Sequence, residues 1–355
     1  MLPIFPLLRA VLFLLLVFLV AAGLYFAKPF LVPVCFAALL AMLFLPLSRW
    51  LERKKIPKGL AILFCLLLLL SIITIIILLI SCQVTDLTSE VSDIENRVRQ
   101  MTAEIEQFIS NHFGIPVKQQ EKLWQQQAQN SAANGVLSNM GSTLTGLLVD
   151  FILCLVYIFL FMYYRTRIKK FILQLISNQQ KENAQQVIHD IQKITQQYLI
   201  GIGWMILCLW IMYSIGFSIV GVKYAVFFAI LCGLLEIVPF IGNLTGNLLA
   251  ILMVIIQGGG PGMVFGVLVT YAIVQFLQTY LLEPLVVGVE VNINPLFTII
   301  ILVLGELIWG IPGLVLAIPL LGIVKIICDH IEPLKPYGFL IGHDRKKKRV
   351  LIRNK

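Results

Sequence analysis

Charge is scarce in this chain. Only 13% of its 355 residues are Asp, Glu, Lys or Arg, against about 25% in soluble globular domains, which excludes an ordinary solvated domain. Histidine is scarcer still. The four present, His112, His189, His330 and His343, include no H-E-x-x-H pair, so a metal hydrolase has no ligand set to build from. Gly216-Phe217-Ser218-Ile219-Val220 lacks the closing glycine of a nucleophile elbow, and Gly258 to Gly262 lacks the Lys-Ser/Thr that completes a phosphate-binding loop. Seven cysteines, an odd number with no C-x-x-C spacing, supply neither a disulfide framework nor a zinc site. An enzyme, an ATP-driven pump and a cofactor protein all lack their residues here. No cofactor is expected.

What is present is hydrocarbon. The chain is 59% hydrophobic with a mean hydropathy of +0.94, the composition of an integral membrane protein. The net charge of +9 could suggest nucleic acid, but the cations cluster beside apolar runs, at Arg49 to Lys58, Arg165 to Lys170 and Arg345 to Lys355. That is the distribution of positive-inside loops, so nucleic acid is not an expected partner and the lipid bilayer is.

The expected fold is all-α and polytopic, with about eight transmembrane segments, two of them broken or re-entrant in the C-terminal half. Residues 1–81 form a three-span region: Leu7 to Ala27, Phe30 to Leu47, and Leu60 to Ile80. Residues 82–142 are an extracytoplasmic polar insertion. Within it Val84, Leu87, Val91, Ile94, Val98, Met101, Ile105 and Phe108 recur in alternating steps of three and four. That seam fits either a helix folded back on its own chain or contact with a second subunit. The fourth span is 143–164, and 165–198 is a cytoplasmic amphipathic segment, a helix or helix pair. Residues 199–330 carry the broken helices, and 331–355 form a basic cytoplasmic tail. Both termini are expected on the cytoplasmic side.

Two apolar segments are too long for one straight crossing of a ~30 Å core. Tyr224 to Ile256 requires a break near Pro239 to Gly246, and Pro295 to Cys328 is expected to break at Pro312 and Pro319. Both carry acids in apolar surroundings, Glu236 and Glu306, and Glu283 and Glu290 lie between them. An acid in hydrocarbon costs roughly 2.5 to 3.5 kcal/mol, and broken helices with polar groups at mid-membrane mark the site of a secondary transporter.

The order and spacing of several motifs resemble one family closely. They are Tyr198-Leu199-Ile200-Gly201, Ile237 through Pro239 to Gly242, Gln275 through Glu283-Pro284 to Gly288, Asn294-Pro295-Leu296, and Gly310-Ile311-Pro312-Gly313 with Ala317-Ile318-Pro319. Nearly the whole chain is similar to the autoinducer-2 exporter family of bacterial membrane proteins. Asn243 stands where that family often has proline. The resemblance implies about eight spans in a bacterial inner membrane, export of a small polar signal such as autoinducer-2 in quorum sensing, antiport of a proton and a monovalent cation in some members, and homo-oligomers, pentamers among them.

The mechanism expected on these grounds is secondary transport. Glu236 and Glu306 would change charge as the site opens to alternate sides, because burial favours the neutral form of an acid and lets it exchange a proton or cation. Pro239, Gly242, Asn243, Asn247, Pro312 and Gly313 would supply unwound backbone and amides. Gln275, Gln278, Glu283, Asn294 and Pro295 complete the candidate pathway. The structural alternative is a neutral glutamic acid that pins helices together. A non-transporting scaffold built on the seam and the basic tail is the rival function.

Overall fold

The structure, a computed structural model, describes residues 4–88, 133–238, 241–287 and 293–342. Among them every regular element is helical: α1 (Ile4–Phe26), α2 (Lys28–Arg53), α3 (Lys58–Thr88), α4 (Ala133–Gln174), α5 (Lys181–Val220), α6 (Ala225–Leu235), α7 (Ile241–Ile256), α8 (Pro261–Leu277), α9 (Pro295–Trp309), α10 (Ile311–His330) and α11 (Lys335–Ile341). Six helices are long and apolar enough to cross a membrane, and four shorter apolar stretches, Val11–Phe26, Ala225–Leu235, Gly242–Ile256 and Pro295–Trp309, accompany them. This is a multi-pass, all-α membrane protein. Its outward apolar side chains are what such a chain presents to lipid.

The first two apolar runs are separated by a single non-helical residue, Ala27, at φ −82° and ψ 4°. That backbone is close to helical, and Leu31 still donates to the Ala27 carbonyl at 2.8 Å. Pro29, in the first turn of α2, has no N–H to give. The indole Nε1–H of Trp309 donates to the Leu24 carbonyl at 3.0 Å. The bend between α1 and α2 is thus capped by α9.

The segment 165–198 is helical in two parts. Its first part is the last turns of α4, its second the first turns of α5, and a short 3₁₀ turn at Asn178–Gln180 joins them. The fourth span likewise starts earlier than its apolar core, since α4 begins at Ala133 inside the polar insertion. The seam from Val84 to Phe108 lies outside the described residues beyond Thr88.

Both over-long segments fold back on themselves as helical hairpins. In the second, the break falls at Gly310, between α9 and α10, and not at the expected prolines. Gly310 holds φ +69° and ψ −144°, a conformation essentially reserved for glycine. Pro312 sits in the first turn of α10, where its missing N–H is no loss, and Pro319 is accommodated inside that helix. The arms close on glycine: a Cβ at Gly313 would stand 1.9 Å from the Gly305 carbonyl oxygen.

The open end of each hairpin is stitched shut. Gln257, just past α7, accepts from the Lys223 amide at 2.7 Å and donates to the Gly221 carbonyl at 3.2 Å, tying the exit of the first hairpin to its entrance. Before α9, the Asn294 amide donates to the Ile341 carbonyl at 2.8 Å, and Ile293 pairs with Gly342 in an isolated antiparallel bridge.

The chain divides into two compact units, Met1–Ile62 with Tyr157–Trp204 and Glu283–Lys355, and Leu63–Val156 with Met205–Leu282. The first has a core of Leu39, Trp309 and Leu316, with Leu31, Phe36 and Leu199 packed against it. In it Arg165 pairs with Glu52 at 2.5 Å and Glu52 accepts from the buried Ser48 hydroxyl at 2.9 Å. Lys58 donates to the Tyr163 carbonyl. The second unit buries Tyr213, Phe217, Val254 and Val267 and contains the first hairpin.

Candidate functional site

The residues of interest in the second unit converge at the tip of the α6–α7 hairpin. The tip exists because the second residue of α7 is glycine: a Cβ on Gly242 would lie 1.6 Å from the Leu235 carbonyl oxygen, closer than any side chain allows. The next residue, Asn243, is therefore held against the end of α6. It is 7% exposed, and Asn247, one turn later, is 4% exposed.

Around them is a network of neutral polar groups. Tyr213 of α5, 1% exposed, donates its hydroxyl to Asn243 Oδ1 at 3.3 Å. Asn247 Nδ2 donates to the Asn243 carbonyl at 2.9 Å and to Asn243 Oδ1 at 3.0 Å. Asn243 Nδ2 donates to Gln275 Oε1 on α8. One turn on, Gln278 Nε2 donates to Glu236 Oε1 at 2.7 Å. Glu236 is half-buried and forms the C-terminal cap of α6, where the helix dipole presents its negative end and favours a nearby cation.

Two acceptors in this network have no donor among the described residues. Asn247 Oδ1 and Gln278 Oε1 are both buried and unpartnered. A buried carbonyl without a partner costs about 1–3 kcal/mol, and native structures keep such groups where a ligand, ion or water completes them. Beyond Gln278 the backbone of α8 widens into a π-helical stretch, Gln278–Val287, a form that occurs at functional sites and here contains Pro284. The site offers amide donors and carbonyl acceptors inside apolar walls, beside one carboxylate. It is suited to hydroxyls or a desolvated cation.

The family described as AI-2E family transporter matches residues 12–332. The chain belongs to the AI-2E transporter family. YueF of Bacillus subtilis strain 168 is 27% identical over 343 residues, covering 89% of this chain and 90% of that protein. YrrI of the same strain is 22% identical over 320 residues, covering 85% and 87%. A Haemophilus influenzae relative is 22% identical over 342 residues, covering 92% and 94%. All three are named as candidate transport proteins, and no name specifies a solute.

In this AI-2E transporter the structure gathers Glu236, Gly242, Asn243, Asn247, Gln275 and Gln278, all from the sequence-derived pathway, at one tip. The others are elsewhere. Glu306 is in the first unit, exposed near the end of α9. It occupies there the place that Glu236 has in its own hairpin, near the end of the first arm. Gly313 serves the close crossing of α9 and α10. Asn294 is the N-cap of α9, its Oδ1 accepting from the Leu296 amide at 3.0 Å, and Pro295 opens that helix. Capping and helix initiation account for these two. Glu283 is exposed within the π-helical stretch. Pro239 and Glu290 lie outside the described residues. Sequence reading missed Tyr213: one aromatic residue in an apolar span carries no mark of a polar partner.

Proposed function

We propose that this membrane transporter works by secondary active transport, exporting a small polar solute of the kind autoinducer-2 represents, coupled to an ion gradient. The observation that carries the reading is the pair of buried, unpartnered amide oxygens, Asn247 Oδ1 in the Tyr213–Asn243–Gln275 network and Gln278 Oε1 on the side chain that donates to Glu236. A hydroxylated solute would supply the missing donors. The same feature favours a second reading, monovalent cation/proton antiport, because two free carbonyls and a carboxylate at the negative end of α6 are all ligands for a hard cation.

Helix lengths support a re-entrant arrangement. At ~1.5 Å per residue the 11 residues of α6 extend about 16 Å, half of a ~30 Å core. With its mouth stitched at one surface, the tip reaches the midplane. If the basic loop Arg49 to Lys58 is cytoplasmic, α3 leads out, α4 in and α5 out. The α6–α7 hairpin then enters from outside, α8 leads back in, and the α9–α10 hairpin enters from the cytoplasm. The tail is then cytoplasmic, and the N-terminus joins it where α1 and α2 cross separately. A homo-oligomer is the expected assembly, read by the mass of the detergent complex.

The test is flux in proteoliposomes, across monovalent cations and small polyols, for the wild type and Glu236→Gln. The variant keeps the shape and loses the exchangeable charge, so coupled flux falls at least tenfold and its pH dependence flattens. Unchanged flux with an unchanged pH profile removes Glu236 from the mechanism.

A further inference from the structure

Far from the hairpin tip in sequence, the first unit contains a cavity of ≈ 270 Å³ where α2, α4 and α5 meet. Its cause is legible in the residues. Ala38 and Ala41, one turn apart on α2, line it with methyl groups only, and Met162 of α4 and Ile188 of α5 leave the space unfilled. The wall is almost wholly apolar, but Arg165 and Lys169 stand on it, one turn apart on α4. Arg165 commits two N–H groups, to Glu52 and Ser48, and a guanidinium carries five. Lys169 is exposed and has no ion pair or hydrogen bond among the described residues.

We propose that this cavity is a binding site for an anionic phospholipid, with an acyl chain in the alanine-floored groove and the phosphate on Lys169 and Arg165. Charge complementarity selects the occupant. The loop Arg49 to Lys58 contributes five Lys/Arg and the stretch Arg165 to Lys170 four, and Glu52 is the one acid in either. The hydrogen bond from Lys58 to the Tyr163 carbonyl and the Arg165–Glu52 pair bring those two stretches together. A surplus of cations over an apolar slot between membrane helices matches a lipid phosphate and its chain. The chain's own tail is a poor occupant, since Arg345 to Arg349 is an unbroken basic run that this rim repels. The site is separate in residues from the solute network, and does not depend on the transport reading.

The experiment is native mass spectrometry of the full chain in detergent, titrated with phosphatidylglycerol, phosphatidylcholine or glycerol phosphate. Phosphatidylglycerol is expected to bind well above phosphatidylcholine, and glycerol phosphate not to bind. Lys169→Gln is expected to lower phosphatidylglycerol affinity about five-fold, the effect of one surface cation, with Lys169→Arg restoring it and Lys181→Gln leaving it unchanged. Ala41→Phe fills the groove and abolishes the preference. Should Ala41→Phe not fold, Ile172→Trp narrows the same slot from its exposed side. Equal retention of the two lipids, binding of glycerol phosphate as strong as that of the lipid, or indifference to both Lys169→Gln and the groove-filling variant overturns the site and leaves only ordinary annular lipid.

Discussion

Gln278 donates its side-chain amide to Glu236 across 2.7 Å while its own carbonyl oxygen, buried with the rest of a side chain that is 2% exposed overall, has no partner among the described residues. The residue is half-satisfied by the protein. That asymmetry separates a helix-pinning contact, which would satisfy both ends, from a contact that holds an acid in place and keeps an acceptor available.

A paired substitution distinguishes the two roles. Gln278→Met removes the amide donor to Glu236 and is expected to destabilise by about 1–3 kcal/mol, the range for losing one partner of a hydrogen bond to a charged group. Replacing both partners, Glu236→Met with Gln278→Met, removes that mismatch and should recover most of the thermal stability in detergent. Flux should be lost in both proteins. Recovery of flux along with stability would show that the pair only joins helices.

The hairpin tip is expected to be intolerant of a single methyl group. Gly242→Ala places a carbon 1.6 Å from a backbone oxygen that cannot move without opening the turn, so destabilisation of about 1–3 kcal/mol or more is predicted. Gly203→Ala is the control. A Cβ there meets nothing within 4 Å, and removing a glycine from the interior of α5 should stabilise by about 0.5–1 kcal/mol. Melting of the detergent-solubilised chain checks both signs, and a neutral Gly242→Ala would mean that the crossing is looser than described.

The Arg165–Glu52 pair gives a third prediction. Its side chains are 20% and 24% exposed, so solvent screens the pair and the coupling energy should be modest. A double-mutant cycle on stability with Arg165→Gln and Glu52→Gln is expected to give about 1 kcal/mol, smaller at 1 M salt, where screening acts within about 3 Å. A coupling indistinguishable from zero at low salt would remove the pair from the account of how α2 and α4 are held together.

Much of the architecture could be read before any coordinates. The long apolar runs became helices, because a backbone in lipid has to satisfy its own hydrogen bonds, and basic residues flank them. Excess length exposed a break in each of the two segments, which the structure folds into hairpins. What escaped was the position of the second break. Prolines were the visible signal, yet Pro312 falls where a helix start tolerates it, and the reversal belongs to Gly310, whose φ is positive because the arms must fold back. Asn294 and Pro295 were likewise legible as unusual residues in apolar sequence, while their part in capping and opening α9 depends on where that helix begins.

Composition and periodicity alone determined that this chain lives in a bilayer and that it is helical, since these follow from residue type counted along the chain. The tertiary structure decided which polar residues share a site. Asn243, Asn247, Gln275, Gln278 and Glu236 come from three segments up to 42 residues apart, and Tyr213 joins them from a fourth. The reason is physical. A side chain's partner in a membrane core is set by where helices cross, and those crossings depend on close approaches such as Gly242 against the Leu235 carbonyl, which no local pattern encodes.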